Sequence, residues 1–251
     1  MCGYRHCPGW SPTLDPDTVA VASDHDACTV IGMDALKAGG SAVDAAVSVL
    51  LCLGVVQPHS NGIGGGGFML VHNQDQDTAI NFRNMAPHAA SDDMFVEDSN
   101  LSLYGGKAVS VPGEIAGHFE AHRRFGRLNW KELFAPSIKM LKKGINVTSH
   151  MEFALDRVKD ELIKDKVAKT IFFKDENDPD SYLREGEVFT NERLAKTYKN
   201  IAERGPRAFY NKRIASNIVQ ASVSHLKLTI ILNTVHFQNK LEKPALNTSI
   251  L

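Results

Sequence analysis

The sequence predicts a helix-dominated chain of α+β or α/β class. Three observations predict it. Apolar residues recur at helical spacing over most of residues 24–221. Residues 68–82 instead alternate around a polar NQDQD turn, as in an antiparallel hairpin. Between an almost wholly apolar helix and that hairpin lie four consecutive glycines, Gly64 to Gly67.

The composition fits a chain that buries a core, with 43% hydrophobic and 23% charged residues among 251. Basic and acidic residues nearly cancel, 28 against 29, which gives no reason to expect nucleic acid or an anionic membrane as partner. No window has the length and apolarity of a membrane-spanning helix. Residues 1–19 are rich in proline and turn formers and lack a basic start followed by an apolar stretch. They read as an irregular lead-in without a signal sequence. Residues 20–221 read as the folded domain, and residues 222–251 as a divergent tail whose Leu226–Leu232 segment is strand-like.

The elements follow in order. Ser23 or Asp24 caps a helix to Lys37, stopped by Gly39-Gly40. Ser41 opens a second helix with Asp44 as its capping-box partner. That helix, AVDAAVSVLLCLGVV, is apolar on almost every side and should be buried all round. Strands 68–72 and 78–82 form the hairpin, and residues 90–104 form a polar loop. Residues 108–111 are extended, and Pro112 introduces a helix from Gly113 to Phe125. Trp130 to Lys143 is a helix with a kink or a fresh start at Pro136. Further helices run over 149–164, with Phe153, Leu155, Val158 and Leu162 on its apolar face, over 191–203, and from Pro206 to about Ala221.

The chemistry is sparse. Gly62, Gly64 and Gly67 satisfy G-x-G-x-x-G, but a dinucleotide loop must follow a strand and open a helix. Here a helix precedes and a strand follows. The glycines therefore mark backbone forced close to another strand or to a substrate. Arg83 ends the second strand, where an arginine can hold a carboxylate through two parallel hydrogen bonds. A solvated surface arginine is the commoner fate, and spacing alone does not choose. No zinc spacing and no G-x-S-x-G elbow is present. Cys28 and Cys52 fall in successive helices, which allows either one bridge or two buried thiols. Sequons occur at Asn100, Asn146 and Asn247.

The residues also carry a likeness. GGSAVDAAVSVLLCLGVVQPHSNGIGGGGFMLV, NFRNMAP, GGKAVSVPGEIAGHFEAHRRFGRLNWKELFAPSI, LKKGINV, REGEVFT and RLAKTYKNIAERGPRAFYNKRIASNIV occur in that order. Over about residues 17–220 the chain resembles the large-subunit part of the γ-glutamyltransferases, or glutathione hydrolases. The resemblance implies an incomplete N-terminal-nucleophile hydrolase fold, an αββα sandwich built from a self-cleaving precursor. In complete members a threonine freed by that cut attacks the γ-glutamyl amide of glutathione, and its own amine can serve as base. Water or an amino-acid or peptide acceptor then releases the γ-glutamyl group.

On this likeness Arg83 falls on the arginine that binds the α-carboxylate of the γ-glutamyl group, a bond worth about 1.5–3 kcal/mol. Cys28 and Cys52 match a pair bridged in animal members, which implies an oxidising compartment. The implied partners are glutathione and other γ-glutamyl compounds, with no cofactor and no metal. The implied location is the outer face of the plasma membrane or the secretory route, although no signal or anchor is visible in this sequence. The likeness stops near Gln220, so a small subunit and its nucleophile are not seen. Thr234-Val-His-Phe237 looks faintly like the threonine-led segment at the cut site, but as a chance match. The chain alone is therefore expected not to catalyse. The alternative expectation is a non-catalytic, truncated form that binds a partner.

Overall fold

The computed structural model describes residues 19–74 and 76–224. Its centre is helix α2 (Ala42–Val56), which packs against α1 (Asp26–Lys37), α3 (Glu114–Phe125) and α4 (Trp130–Lys143). The all-apolar sequence of α2 is what makes this possible. Val43, Val47, Leu51, Val55 and Val56 are all buried, on several faces of one helix. Its start is fixed by the expected capping box: the Ser41 Oγ accepts the Asp44 N–H, and the Asp44 carboxylate accepts the Ser41 N–H at 2.8 Å. Asp44 Oδ2 also accepts the Arg127 and Leu128 amides, which ties α2 to the link between α3 and α4. Helix α1 is capped by His25 rather than by Ser23 or Asp24: the His25 ring accepts the Ala27 amide.

Cys28 on α1 and Cys52 on α2 are joined by a disulfide, with their Cα atoms 5.4 Å apart. Both are fully buried, so the bridge sits inside the helical hairpin.

The hairpin is β1 (Phe68–His72) against β2 (Asp77–Asn81), in register from Phe68 opposite Asn81 to His72 opposite Asp77. One face turns inward through Thr78 and Ile80, with Met69 and Val71 half-buried. Phe68 and Leu70 on the other face are exposed. A second ladder joins β3 (Ile145–Asn146) to β4 (Val188–Phe189), two residues a side. No sequence signal marked it, because two-residue strands carry no alternation to read.

Helix α4 runs through Pro136 without a new start, so only one of the two expectations there could hold. Trp130 and Phe134 on α4 form an edge-to-face ladder with Phe119 of α3 and with Tyr198 of α7 (Glu192–Arg204). The Trp130 indole donates to the Ile201 carbonyl at 3.2 Å. In α5 (Ser149–Leu162), Met151 and Leu155 are buried, whereas Phe153 and Val158 face outward. Phe153 carries the Arg157 guanidinium over its ring instead. A short α6 (Lys169–Phe172) follows. The helix expected from Pro206 is broken at Asn211, giving α8 (Arg207–Tyr210) and α9 (Lys212–Ser224). Residues 108–111 contribute only one bridge, Met85 with Val111, and Gly106–Ala108 is a 3-10 turn.

No helix among the described residues is long and apolar enough to cross a membrane. The Leu226–Leu232 segment, Thr234 and Asn247 lie outside the described residues.

Candidate functional site

The glycine run leaves the end of α2 and reaches β1 across the start of α3. The Asn61 amide group donates to the Leu50 carbonyl at 2.7 Å, which pins the turn to α2. Within the run, the Gly65 N–H closes onto the Gly62 carbonyl at 2.8 Å. The Gly65 carbonyl then accepts the amides of Gly113 and Glu114 at the start of α3, at 2.9 and 3.1 Å. The pairing of β1 and β2 continues one step past the strands, with Phe82 N–H to the Gly67 carbonyl at 2.9 Å and Gly67 N–H back at 3.4 Å.

Three glycines are required by this packing, the tightest being Gly113, where a Cβ would stand 1.8 Å from the Phe82 carbonyl oxygen. A Cβ at Gly66 would stand 2.4 Å from the Phe82 carbonyl oxygen, and one at Gly117 of α3 would stand 2.2 Å from the Phe82 ring. Phe82 is therefore gripped between the run and α3, where any larger residue would collide. The expectation that the glycines bring backbones close is met here by a strand and a helix.

Arg83 follows directly. Its backbone N–H donates to the Asn81 side chain at 3.0 Å. Its side chain is exposed and, among the described residues, makes no hydrogen bond or ion pair. The next residue is anchored again: the Asn84 amide group donates to the Gly64 carbonyl at 3.2 Å and to the Ser110 hydroxyl at 2.7 Å. So Arg83 is a free cation on a short segment held at both ends by the glycine run.

Beside the run lies an open cavity of about 300 Å³, lined by Pro58, Ser60, Asn61, Gly62, Gly64, Gly65, Gly66 and Glu114. Glu114 is the first residue of α3 and only 3% exposed. Its Oε1 has no hydrogen-bond partner. Burial pushes its carboxyl up to about 8, against a smaller opposing effect of a hydrogen bond from the Gly62 amide. One turn along the same helix, His118 is fully buried with both ring nitrogens unpartnered, and burial holds its imidazole down to about 3. Its ring meets Phe82 edge to face, with centroids 5.7 Å apart. At neutral pH this face of α3 therefore presents a protonated acid and a neutral imidazole.

The sequence reading missed Glu114 and His118. A glutamate in the first turn of a helix is ordinary, because the helix dipole favours it there. Only their spacing of four places both on one face of α3, which Phe82 meets at Gly117 and His118.

The other predicted residues lie apart from this site. Asn100 is exposed in a 3-10 turn capped by Asp98, and Asn146 is exposed on β3. Among the described residues no group of three or more metal-ligating side chains comes together.

The γ-glutamyltranspeptidase family matches residues 28–226. The chain is 40% identical to glutathione hydrolase 3 of Arabidopsis thaliana over 212 residues, covering 84% of this chain and 33% of that protein. It is 38% identical to the glutathione hydrolase proenzyme of Pseudomonas aeruginosa over 216 residues, 84% of this chain and 37% of that protein. The chain thus spans about a third of the length of these relatives. Among solved structures, it overlays the γ-glutamyltranspeptidase of Helicobacter pylori with a TM-score of 0.82 and 28% identity, covering 95% of this chain and 67% of that one. A Pseudomonas nitroreducens γ-glutamyltranspeptidase gives a TM-score of 0.75 and 34% identity, covering 83% and 62%. The α+β, N-terminal-nucleophile hydrolase class expected from the sequence is the class of these structures. The chain belongs to the γ-glutamyltranspeptidase family.

Proposed function

We propose that this chain supplies the donor-carboxylate side of a site that cleaves and transfers γ-glutamyl groups of glutathione and related compounds. The observation that carries the reading is Arg83: an exposed guanidinium, without a partner among the described residues, on a segment pinned at Phe82 and Asn84. A carboxylate placed there gains two parallel charge-assisted hydrogen bonds. Fixing the α-carboxylate orients the γ-amide for attack by a nucleophile, so the arginine binds and positions but does not react.

The described residues offer no nucleophile at this site. Those lining the cavity are glycines, Pro58, Ser60, Asn61 and Glu114, and the Ser60 hydroxyl makes no hydrogen bond to a base among the described residues. These residues are therefore proposed to bind without turning over, with the threonine of the family reaction supplied by a small-subunit portion. The exposed Phe68 and Leu70 face of the hairpin favours such a neighbour, because apolar strand faces are normally covered. The Cys28–Cys52 bridge supports folding in an oxidising compartment on the secretory route, where exposed Asn100 and Asn146 would be open to glycosylation.

The test is glutamate release from glutathione by the purified chain. No release is expected. Turnover that Arg83→Ala abolishes would overturn the proposal that the chain does not act alone.

A further inference from the structure

We propose that Glu114 is a positioning residue for Arg83: it clamps the glycine run to the start of α3, and that run fixes the residues on both sides of Arg83. The inference rests on Arg83 being the carboxylate ligand.

The connections are continuous. The Glu114 side chain takes the Gly62 amide, and its backbone N–H donates to the Gly65 carbonyl at 3.1 Å, so one residue holds the run at two points three residues apart. From the run, Gly64 holds Asn84 and Gly67 holds Phe82. These are the two neighbours of Arg83. The Asn81 side chain holds the Arg83 backbone and Ser110 holds Asn84 as well, while the arginine side chain itself is free among the described residues.

The choice of residue is informative. A glutamine would satisfy the Gly62 amide equally well and carry no burial penalty as an ion. Instead a carboxyl stands nearly dry, one oxygen without a partner, against an open cavity. A perturbed carboxyl beside a cleft is one physical mark of a functional position. Around it, the titratable groups are Tyr198 of α7, Tyr210 of α8 and His118 of α3. Burial pushes both phenols up and the imidazole down, so none carries charge near neutral pH. Tyr198 donates to the Leu51 carbonyl and Tyr210 to the Pro112 carbonyl, so neither is free to neutralise a Glu114 anion. No described cation is paired with it. The clamp is therefore built for the protonated acid.

Opening the clamp exposes Glu114 to water, where it ionises near 4.5; closed, it ionises near 8. The clamp is then strongest at acid pH. Opening becomes easier as pH rises between those limits, and is flat above about 8.

The experiment is amide hydrogen exchange on the full chain and on Glu114→Gln, read at Gly62, Gly67 and Phe82. With intrinsic exchange rates divided out, the wild-type opening constant should rise at least tenfold from pH 6 to pH 8, and that of Glu114→Gln should stay flat. Superimposable profiles would overturn the proposal. If Glu114→Gln does not fold, the carbon-13 titration of the Glu114 carboxyl in wild type decides: a midpoint near that of a solvated carboxyl would overturn it as well. A second arm titrates glutathione into both proteins and into Arg83→Ala. Loss of binding in Arg83→Ala with a pH-dependent difference between wild type and Glu114→Gln supports the proposal. Loss in Arg83→Ala with identical pH profiles for the other two overturns the role of Glu114 alone. Unchanged binding in Arg83→Ala overturns the functional reading on which it rests.

Discussion

Replacing Glu114 by glutamine should flatten the pH dependence of stability on the alkaline side. Glu114 is 3% exposed, and its carboxyl ionises near 8 when folded against 4.5 when unfolded. Between those values the unfolded state releases a proton that the folded state keeps. Stability is thus full below 4.5, falls as pH rises towards 8, and is level beyond. At about 1.4 kcal/mol per pH unit, the interval corresponds to an upper bound of about 5 kcal/mol. The cavity beside Glu114 admits water, which lowers the real penalty, so roughly 2–3 kcal/mol is the working figure. The assay is urea unfolding of wild type and Glu114→Gln at pH 5 and pH 8.5. The glutamine amide leaves its own unpaired group, so the slope rather than the absolute level carries the test. Wild type should lose roughly 2–3 kcal/mol more than the variant between the two pH values. Parallel losses would refute the reasoning, because they would mean that Glu114 ionises alike in both states.

His118 gives the opposite sign on the acid side. Its folded imidazole is held near 3 against an ordinary 6.5, so stability is full above 6.5 and is lost as pH falls towards 3. His118→Leu should remove that loss and be more stable than wild type by roughly 2–3 kcal/mol at pH 4, read from urea midpoints. Cys28→Ala with Cys52→Ala should cost about 3.5 kcal/mol by the loop-closure estimate for a separation of 24 residues, seen as a lowered Tm.

Much of this architecture was legible because α2 and its capping box are local signals. Ser41, Asp44 and an apolar run of fifteen residues specify a buried helix with no further information. The hairpin was legible for the same reason, since alternation around a polar turn needs only ten or so residues of context. The β3–β4 pair joins residues 145 and 189, 44 positions apart, and no local pattern marks such a partner. The break at Asn211 and the outward turn of Phe153 likewise depend on neighbours brought in by the fold. At the site, Arg83 stood out because a strand-end arginine before a turn is noticeable. Glu114 did not, because what makes it unusual is burial, and burial belongs to the glycine run, Tyr198 and Tyr210 rather than to its own sequence neighbourhood.

The most direct test of Arg83 as the carboxylate ligand is glutathione binding by the full chain, measured by titration for wild type, Arg83→Ala and Arg83→Lys. Losing a charge-assisted pair of about 1.5–3 kcal/mol predicts an affinity drop of roughly 10- to 150-fold for Arg83→Ala, with partial retention for Arg83→Lys. Equal affinity in wild type and Arg83→Ala would contradict the account.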